Sequence, residues 1–471
     1  MKRKVIFRTD FNSEIGLGHV VRCMALASAL EEDYAIAFVC RFGVKTVIDK
    51  LKEKYSLHII ETEEQFWDLL KGEEIVVLDG YHFDFEYQEN ITRKKSVLVC
   101  VDDLADRRFC SDVIINHNPG ITPGIYSALP FTEYALGLDY AMLRRPFLQA
   151  ASQPGNLRDD SILICFGGSD PRNLTAVVIG ETLKYSYIKS VNVVVGAGYA
   201  HGASLGPYLN DQRVTIYRDI SDVEMASLML TSSVAVVPAS GVLLEALACR
   251  CHVISGTYVE NQTRLYDAFR KVNAFVDAGD FSSDKIRTAL ERITADRTLP
   301  DITIDGKSGD RFRKLFRGLE LFWLLDIRRA RETDIGITYK WATSSTVRAY
   351  SFNKETIQLD DHKRWFTSKI ADKNCFYFIG LMQDNEIGSI RFDVKGDEAI
   401  ISYLLDPECH GRGLGLALLK TGIKELTSTT SSITKLTGYV MHENQSSIRI
   451  FQKLGFNMIE TEQSLKFQKI I

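Results

Sequence analysis

The stretch RTDFNSEIGLGHVVRCMALASAL, Arg8–Leu30, decides how this chain is read. An apolar run, Lys4–Thr9, precedes it, and a long helical pattern of apolar residues begins at Val20. Gly16 and Gly18 therefore lie just before a helix N-terminus. There the free backbone N–H groups and the positive end of the helix dipole favour an anion, and the missing side chains let a phosphate approach. His19 stands at the helix start, where the dipole opposes protonation and favours a neutral imidazole at pH 7. A neutral imidazole accepts a proton from water. The stretch predicts a diphosphate cradle with His19 working beside it. The same residues also read as a plain strand-to-helix turn whose histidine caps the helix.

The surroundings give this turn a fold. Over residues 1–145 the runs KVIFRT, YAIAFVC, LHII, EIVVLDG, SVLVCVDD and DVIINH read as strands, with amphipathic segments such as Val20–Glu31 and Val44–Lys54 between them. Unbroken apolar runs are strands buried on both faces, and strands alternating with helices predict a parallel sheet. Residues 146–325 repeat the style with SILICFGG, SVNVVVGAG, RVTIYRD, VAVVPAS and CHVISG. Two open α/β units in tandem are expected, with ligands at the carboxyl ends of the strands and in the cleft between the units. A basic segment, RFRKLFRGLELFWLL, is expected to close the second unit. From residue 326 to 471 the pattern changes to early helices and then longer strands. The Asp384–Asn385 pair between two apolar runs signals a hairpin. This last part predicts an α+β domain with an antiparallel sheet.

Bulk properties exclude some classes. The 471 residues exceed one core, and at roughly 100–200 residues per domain two or three are expected. With 45% hydrophobic and 25% charged residues the chain has the profile of a soluble globular protein. Its net charge of -4 is spread without blocks, which argues against nucleic acid as a partner. The start is too short for a signal-peptide core, and no run approaches the ~20 apolar residues of a membrane span. Nine scattered cysteines without paired spacing predict reduced, mostly buried thiols and a cytoplasmic protein with no membrane partner. No Asp-x-Asp metal motif is seen, and no metal is expected.

The second unit adds motifs that fit a nucleotide. CFGGSDPRNLT ends a strand in Gly167–Gly168 and continues into Ser169 and Asp170, both cap-type residues. ASGVLLEALACR puts Ser240 and Gly241 at a helix start with Glu245 one turn in, placed to accept hydrogen bonds from ribose hydroxyls. GTYVENQ ends in Asn261 and Gln262, uncharged donors suited to phosphate or sugar oxygens. Taken singly, each is also an ordinary loop. With RTDFNSEIGLGHVVRCMALA, VLDGYHFD, VDDLADRRFCSDVIIN and LGLDYAMLRRPF ahead of them in the chain, residues 1–325 resemble the UDP-sugar hydrolase family of pseudaminic acid biosynthesis, a GT-B-like pair of Rossmann-type domains. The resemblance implies that His19 activates a water, which attacks the anomeric carbon and releases UDP without a metal. It implies that Glu245 binds ribose and that Asn261 and Gln262 bind the phosphate and sugar side, with Gly168 and Ser169 beside them. Asp10, Asp79, Tyr81 and Asp84, on loops after strands, are candidates to line the sugar pocket, or else cap and turn residues. One departure stands out: relatives carry Gly-Ser-Thr before the glutamate helix, whereas Ser240-Gly241-Val242 stands here.

The third region carries ISYLLDPECHGRGLGLALLKTGI, residues 401–423. A strand runs into Gly411, Gly413 and Gly415 at a helix start, a second diphosphate cradle. With HENQSSIRIFQKLGF, residues 442–456, it resembles the GNAT-type N-acetyltransferases, although His410 stands where Gln or Arg is usual. That resemblance implies an acetyl-CoA site made by Leu404, Leu405, Arg412, Gly413, Leu414, Gly415 and Asn444. The tyrosine that protonates the leaving thiolate in many such enzymes aligns with Phe451, which has no proton to give, so Tyr403 and Tyr439 become candidates. KWATSSTVRAYSFNKETIQLDDHKRWF resembles the acetyltransferase of the same pathway, with His362 and Trp365 as candidate contacts to the UDP-sugar or as core. The combined expectation is a bifunctional enzyme acting on UDP-linked amino sugars. Two other readings stay open: a GT-B glycosyltransferase fused to an acetyltransferase, and a non-catalytic nucleotide-sugar binding module.

Overall fold

The computed structural model describes residues 2–12, 17–153, 160–295 and 302–471; Gly16 lies outside them. The first unit holds β1 (Lys4–Thr9), β2 (Ala35–Cys40), β3 (Ser56–Ile59), β4 (Ile75–Asp79), β5 (Val97–Val101), β6 (Val113–Asn116) and β7 (Glu133–Leu136). They form one parallel sheet in the order β3-β2-β1-β4-β5-β6-β7. β4 and β5 are buried along their whole length, as their unbroken Ile, Val and Leu runs require. The strand order reverses between β1 and β4, so their carboxyl ends flank a crevice. Helix α1 (Gly18–Leu30) returns from β1 and buries Val20, Cys23, Leu26, Ala27 and Leu30 in one core with Phe7 and Phe38.

The second unit repeats the plan with β8 (Ser161–Cys165), β9 (Ser190–Val195), β10 (Val214–Arg218), β11 (Val234–Pro238), β12 (His252–Gly256) and β13 (Val276–Asp277). The order is β10-β9-β8-β11-β12-β13, again parallel, with the reversal between β8 and β11.

The basic segment behaves differently from expectation. It forms helix α2 (Ser308–Leu324), whose Phe312, Leu315, Phe316 and Leu319 enter the core of the first unit beside α1, not that of the second. Its amphipathic pattern specified a buried face but not the core that receives it. Phe322, near its end, joins the core of the third unit.

That third unit contains β14 (Leu325–Arg329), β15 (Cys375–Met382), β16 (Asn385–Lys395), β17 (Glu398–Leu405), β18 (Lys435–Val440), β19 (Asn457–Glu460) and β20 (Leu465–Ile470). Their order is β14-β15-β16-β17-β18-β20-β19, antiparallel except for β17 beside β18. The hairpin between β15 and β16 turns at Gln383 and Asp384, both at positive φ, one residue earlier than the Asp384–Asn385 reading. Two positive φ values make the two-residue turn that matches strand twist. Helices α3 (Leu414–Thr429) and α4 (Gln445–Lys453) follow β17 and β18.

The third unit packs on the first. Phe131, which precedes β7, lies in the third unit's core. Lys453 Nζ sits 2.9 Å from Glu133 Oε1, Lys420 Nζ donates to the Asp112 carbonyl at 3.1 Å, and Lys469 Nζ donates to the Pro130 carbonyl at 3.0 Å. The edge strand β7 is thereby covered, which removes a free sheet edge. Among the described residues no helix is long and apolar enough to cross a membrane.

Candidate active sites

At the crevice between β1 and β4, α1 brings two side chains together. His19 and Arg22 are one turn apart and so share a helix face. Asp79, the last residue of β4, meets both. His19 Nδ1 lies 2.6 Å from Asp79 Oδ1, and Arg22 grips the same carboxylate with Nε on Oδ2 and Nη2 on Oδ1, each at 2.7 Å. Arg22 Nη1 also donates to Asp103 Oδ2 at 2.8 Å, and the Tyr81 hydroxyl donates to the same oxygen at 3.2 Å. The Tyr81 ring stands edge-on to the His19 ring, 4.6 Å away.

Electrostatics follow from this geometry. Burial opposes charge on Asp79, yet Arg22 and His19 hold its carboxyl well below the usual carboxylate range. An ionised Asp79 accepts the Nδ1 proton of His19, which leaves the lone pair on Nε2. That nitrogen has no hydrogen-bond partner among the described residues. Burial and then Arg22 push the neighbouring His117 down to about 4. Arg22, Asp103 and His117 were not picked out from the sequence. Arg22 had a local signal, its spacing from His19; the other two arrive from separate strand ends, which no local pattern links. A shallow depression beside Arg22 and Asp79 is lined also by Tyr81, Cys100, Asp102 and Arg107.

The remaining sequence candidates divide. Gly18 opens α1, whose N-cap Leu17 offers no side-chain cap. Tyr81 faces the crevice at 42% exposure. Asp10 is buried and fully engaged: Oδ1 accepts from Arg8 at 2.8 Å and from the Arg41 backbone at 2.6 Å, and Oδ2 lies 3.2 Å from His82 Nε2. These contacts make it an organiser of the loop. Asp84 caps the helix Phe85–Arg93 through Tyr87 N, the cap role that its position also allowed.

In the second unit Gly168 and Ser169 are exposed at the end of β8, and no atom lies within 4 Å of where a Gly168 side chain would start. Asp170 caps the following helix, accepting from Leu174 and Thr175 backbone N–H groups at 2.9 and 2.8 Å. Glu245 is buried, and its Oε1 takes both Arg144 Nε at 2.8 Å and Nη2 at 2.6 Å. Burial pushes its carboxyl up to about 7 against the pull of Arg144. Arg144 thus occupies Oε1, one of the two carboxylate oxygens expected to serve a ribose. Asn261 is exposed, whereas Gln262 is buried with Oε1 accepting from Tyr258 N at 3.0 Å. Arg264, two residues on, donates to the Leu104 carbonyl of the first unit and so spans the two units.

The third unit has its own opening. β17 and β18 pair from Glu398–Lys435 to Ile401–Gly438 and then part, although β17 runs on to Leu405. Leu404 and Leu405 thus line a wedge with a backbone edge that β18 does not use. Beyond it Gly411 and Gly413 take φ of 77° and 83°, and Gly413 is the N-cap of α3. A side chain at Gly411 would meet open space, one at Gly413 would meet Leu321 at 3.3 Å, and one at Gly415 would meet Ile450 at 3.1 Å. Left-handed glycines at an uncapped helix start turn backbone N–H groups outward, a fit for a diphosphate. Leu414 is buried in the core, so only its backbone faces that cradle, while Arg412 is exposed. Asn444 caps α4 through Ser447 N at 3.1 Å. Residues 325–457 match the family model described as the acetyltransferase (GNAT) domain.

The third unit is a GNAT acetyltransferase domain.

What precedes the GNAT domain is similar to a UDP-sugar hydrolase and to a spore coat polysaccharide biosynthesis protein. The UDP-2,4-diacetamido-2,4,6-trideoxy-beta-L-altropyranose hydrolase of Campylobacter jejuni subsp. jejuni is 27% identical, over 55% of this chain and 93% of its own. The spore coat polysaccharide biosynthesis protein SpsG of Bacillus subtilis is 26% identical, over 57% of this chain and 82% of its own. An uncharacterised protein of Methanocaldococcus jannaschii is 24% identical, over 96% of both chains. The chain is thus a fusion of a hydrolase-like part with a GNAT domain. In the GNAT domain Trp341 is fully buried and donates to Asp406 Oδ2 at 2.8 Å. His362 is buried 3.1 Å from Thr338 Oγ1, whereas Trp365 is partly exposed with the Arg391 guanidinium 4.9 Å over its ring. Tyr439 is exposed, and Phe451 packs its ring against Gly438 and Phe467.

Proposed function

We propose that the chain is a bifunctional enzyme of amino-sugar biosynthesis. Its first two units, divided near residue 145 and ending near 325, hydrolyse UDP-2,4-diacetamido-2,4,6-trideoxy-β-L-altropyranose to the free sugar and UDP. Its GNAT domain N-acetylates the 4-amino group of UDP-4-amino-4,6-dideoxy-N-acetyl-β-L-altrosamine with acetyl-CoA. The two reactions are consecutive, because the second product is the first substrate, and that gives the fusion a chemical reason. The resemblance to the Campylobacter jejuni hydrolase supports the choice of sugar, and the absence of a long apolar helix among the described residues accords with a cytoplasmic enzyme.

The observation that carries the hydrolase reading is the His19–Asp79 contact of 2.6 Å with Arg22 behind it. Asp79 fixes the His19 tautomer, so Nε2 takes a proton from water as the water oxygen bonds to the anomeric carbon. The carbon–oxygen bond to the diphosphate breaks and its electron pair leaves with UDP. Asp79 then stabilises the imidazolium that forms. Gly18 and the start of α1, together with Gly168 and Ser169, hold the diphosphate. Arg22 keeps Asp79 ionised without contributing to the leaving group. Tyr81 covers the His19 ring and confines the sugar. In the GNAT domain the wedge at Leu404 and Leu405 receives the pantetheine amides, and Gly413, Gly415 and Asn444 take the cofactor's phosphates and neighbouring amides. Acetyl-CoA supplies an activated acyl group there.

Mass spectrometry of the products from acetyl-CoA and the UDP-4-amino sugar tests the assignment. The expected products are a free diacetamido sugar, UDP and CoA. Transfer of the sugar to an added acceptor, with no free sugar formed, favours the glycosyltransferase reading; ligand binding without turnover favours the binding module.

A further inference from the structure

An acyl transfer from a thioester to an amine leaves sulfur with a negative charge, and the wedge must neutralise it. Phe451, one turn along α4, has no proton to supply. The hydroxyl groups that do meet inside the wedge are those of Tyr403 and Ser447. Tyr403 lies on β17 just past Ile401, where pairing with β18 ends. Its hydroxyl crosses the gap and donates to Ser447 Oγ on α4 at 2.8 Å. The Tyr403 ring also borders the glycine cradle, with its Cε2 3.8 Å from where a Gly415 side chain would begin. Ser447 and Phe451 are four residues apart and share one helix face. The other candidate, Tyr439, is exposed.

We infer that Tyr403 is the proton donor of acetyl transfer and that Ser447 relays its replacement. The inference rests on the acetyltransferase reading above. As the new carbon–nitrogen bond forms and the carbon–sulfur bond breaks, Tyr403 gives its phenolic proton to sulfur, which keeps the bonding pair. Ser447 passes a proton back to the phenolate and recovers its own from solvent. The surplus proton on nitrogen goes to water. Burial raises the Tyr403 phenol to about 12, so it stays protonated through the neutral range and is available to donate.

The test uses the full chain and the variants Tyr403→Phe and Ser447→Ala. Titration calorimetry measures acetyl-CoA and free CoA at pH 7 and pH 9. A donor facing sulfur strengthens the binding of the thiolate form, so Tyr403→Phe is expected to weaken CoA about tenfold at pH 9 while acetyl-CoA affinity stays within twofold. With the UDP-4-amino sugar as acceptor, kcat is expected to fall about 10²-fold or more with KM for acetyl-CoA little changed. Ser447→Ala is expected to lower kcat less and in the same direction. Unchanged CoA affinity at pH 9 together with kcat within threefold of wild type overturns the inference. So does an equal loss of acetyl-CoA and CoA binding, which marks a packing role. A wild-type chain that acetylates no amino sugar overturns the acetyltransferase reading itself, and the pH-dependent CoA titration then still reports on Tyr403.

Discussion

In the proposed hydrolysis His19 depends on its neighbours. An imidazole at a helix start has two tautomers, and only one leaves Nε2 able to accept a proton. Asp79 selects that tautomer, and Arg22 keeps Asp79 ionised from 2.7 Å on both oxygens. From the sequence Asp79 reads as a group lining a sugar pocket or capping a turn. In the proposed hydrolysis its contact with His19 gives it the task of orienting that ring. Asp79→Asn is expected to lower kcat for hydrolysis by about 10²–10⁴-fold while KM for the UDP-sugar changes only a few-fold. Steady-state kinetics of UDP release checks this; a change confined to KM means that Asp79 binds the sugar. The residue scale also shows what a sequence conceals. His19 and its glycines stand in one stretch, and Arg22 is one helical turn away. Asp103, His117 and Arg144 are brought in by distant strands and loops, and although Asp103 and Arg144 stand in quoted motifs, no local spacing ties any of the three to its partner.

Among elements, the glycine turn before α3 carries the most specific demand. Gly413 holds a φ of 83° and would place a side chain 3.3 Å from Leu321. An alanine there costs about 1–2 kcal/mol for the left-handed backbone alone. Gly413→Ala is therefore expected to lower the melting temperature of the GNAT domain by a few degrees and to weaken acetyl-CoA at least tenfold, read by thermal unfolding and by titration. Full affinity with the alanine in place argues that the turn is only a turn. The elements themselves were legible, because unbroken Ile, Val and Leu runs cannot be anything but doubly covered strands when helices alternate with them. The hairpin turn fell one residue early, at Gln383–Asp384, because Gln383 adopts positive φ without being a residue that favours it. The destination of α2 was not legible at all. Phe312, Leu315, Phe316 and Leu319 announce an apolar stripe, and the first core, not the second, has the groove for it.

For the whole molecule, the packing of the GNAT domain on the first unit has a titration signature. Lys469 is buried at that contact with Nζ on the Pro130 and Leu454 carbonyls, and burial pushes its ammonium down to about 7. An unfolded lysine titrates near 10.4. Between about pH 7 and 10 the unfolded chain therefore binds a proton that the folded chain does not, and stability rises with pH across that window. At about 1.4 kcal/mol per pH unit as an upper bound, denaturation midpoints of the wild type are expected to climb from pH 7.5 to 9.5 relative to Lys469→Met. Parallel curves for the two proteins contradict a depressed Lys469. The central claim concerns the His19 site of the first unit, and isotope tracing reaches it most directly. The full chain is given the UDP-diacetamido sugar in ¹⁸O-water with a metal chelator present, and the oxygen of each product is read by mass spectrometry. The expected result is one ¹⁸O in the free sugar, none in UDP, and no release with His19→Ala. Label in the UDP, or release that survives His19→Ala, contradicts attack on the anomeric carbon by water that His19 deprotonates.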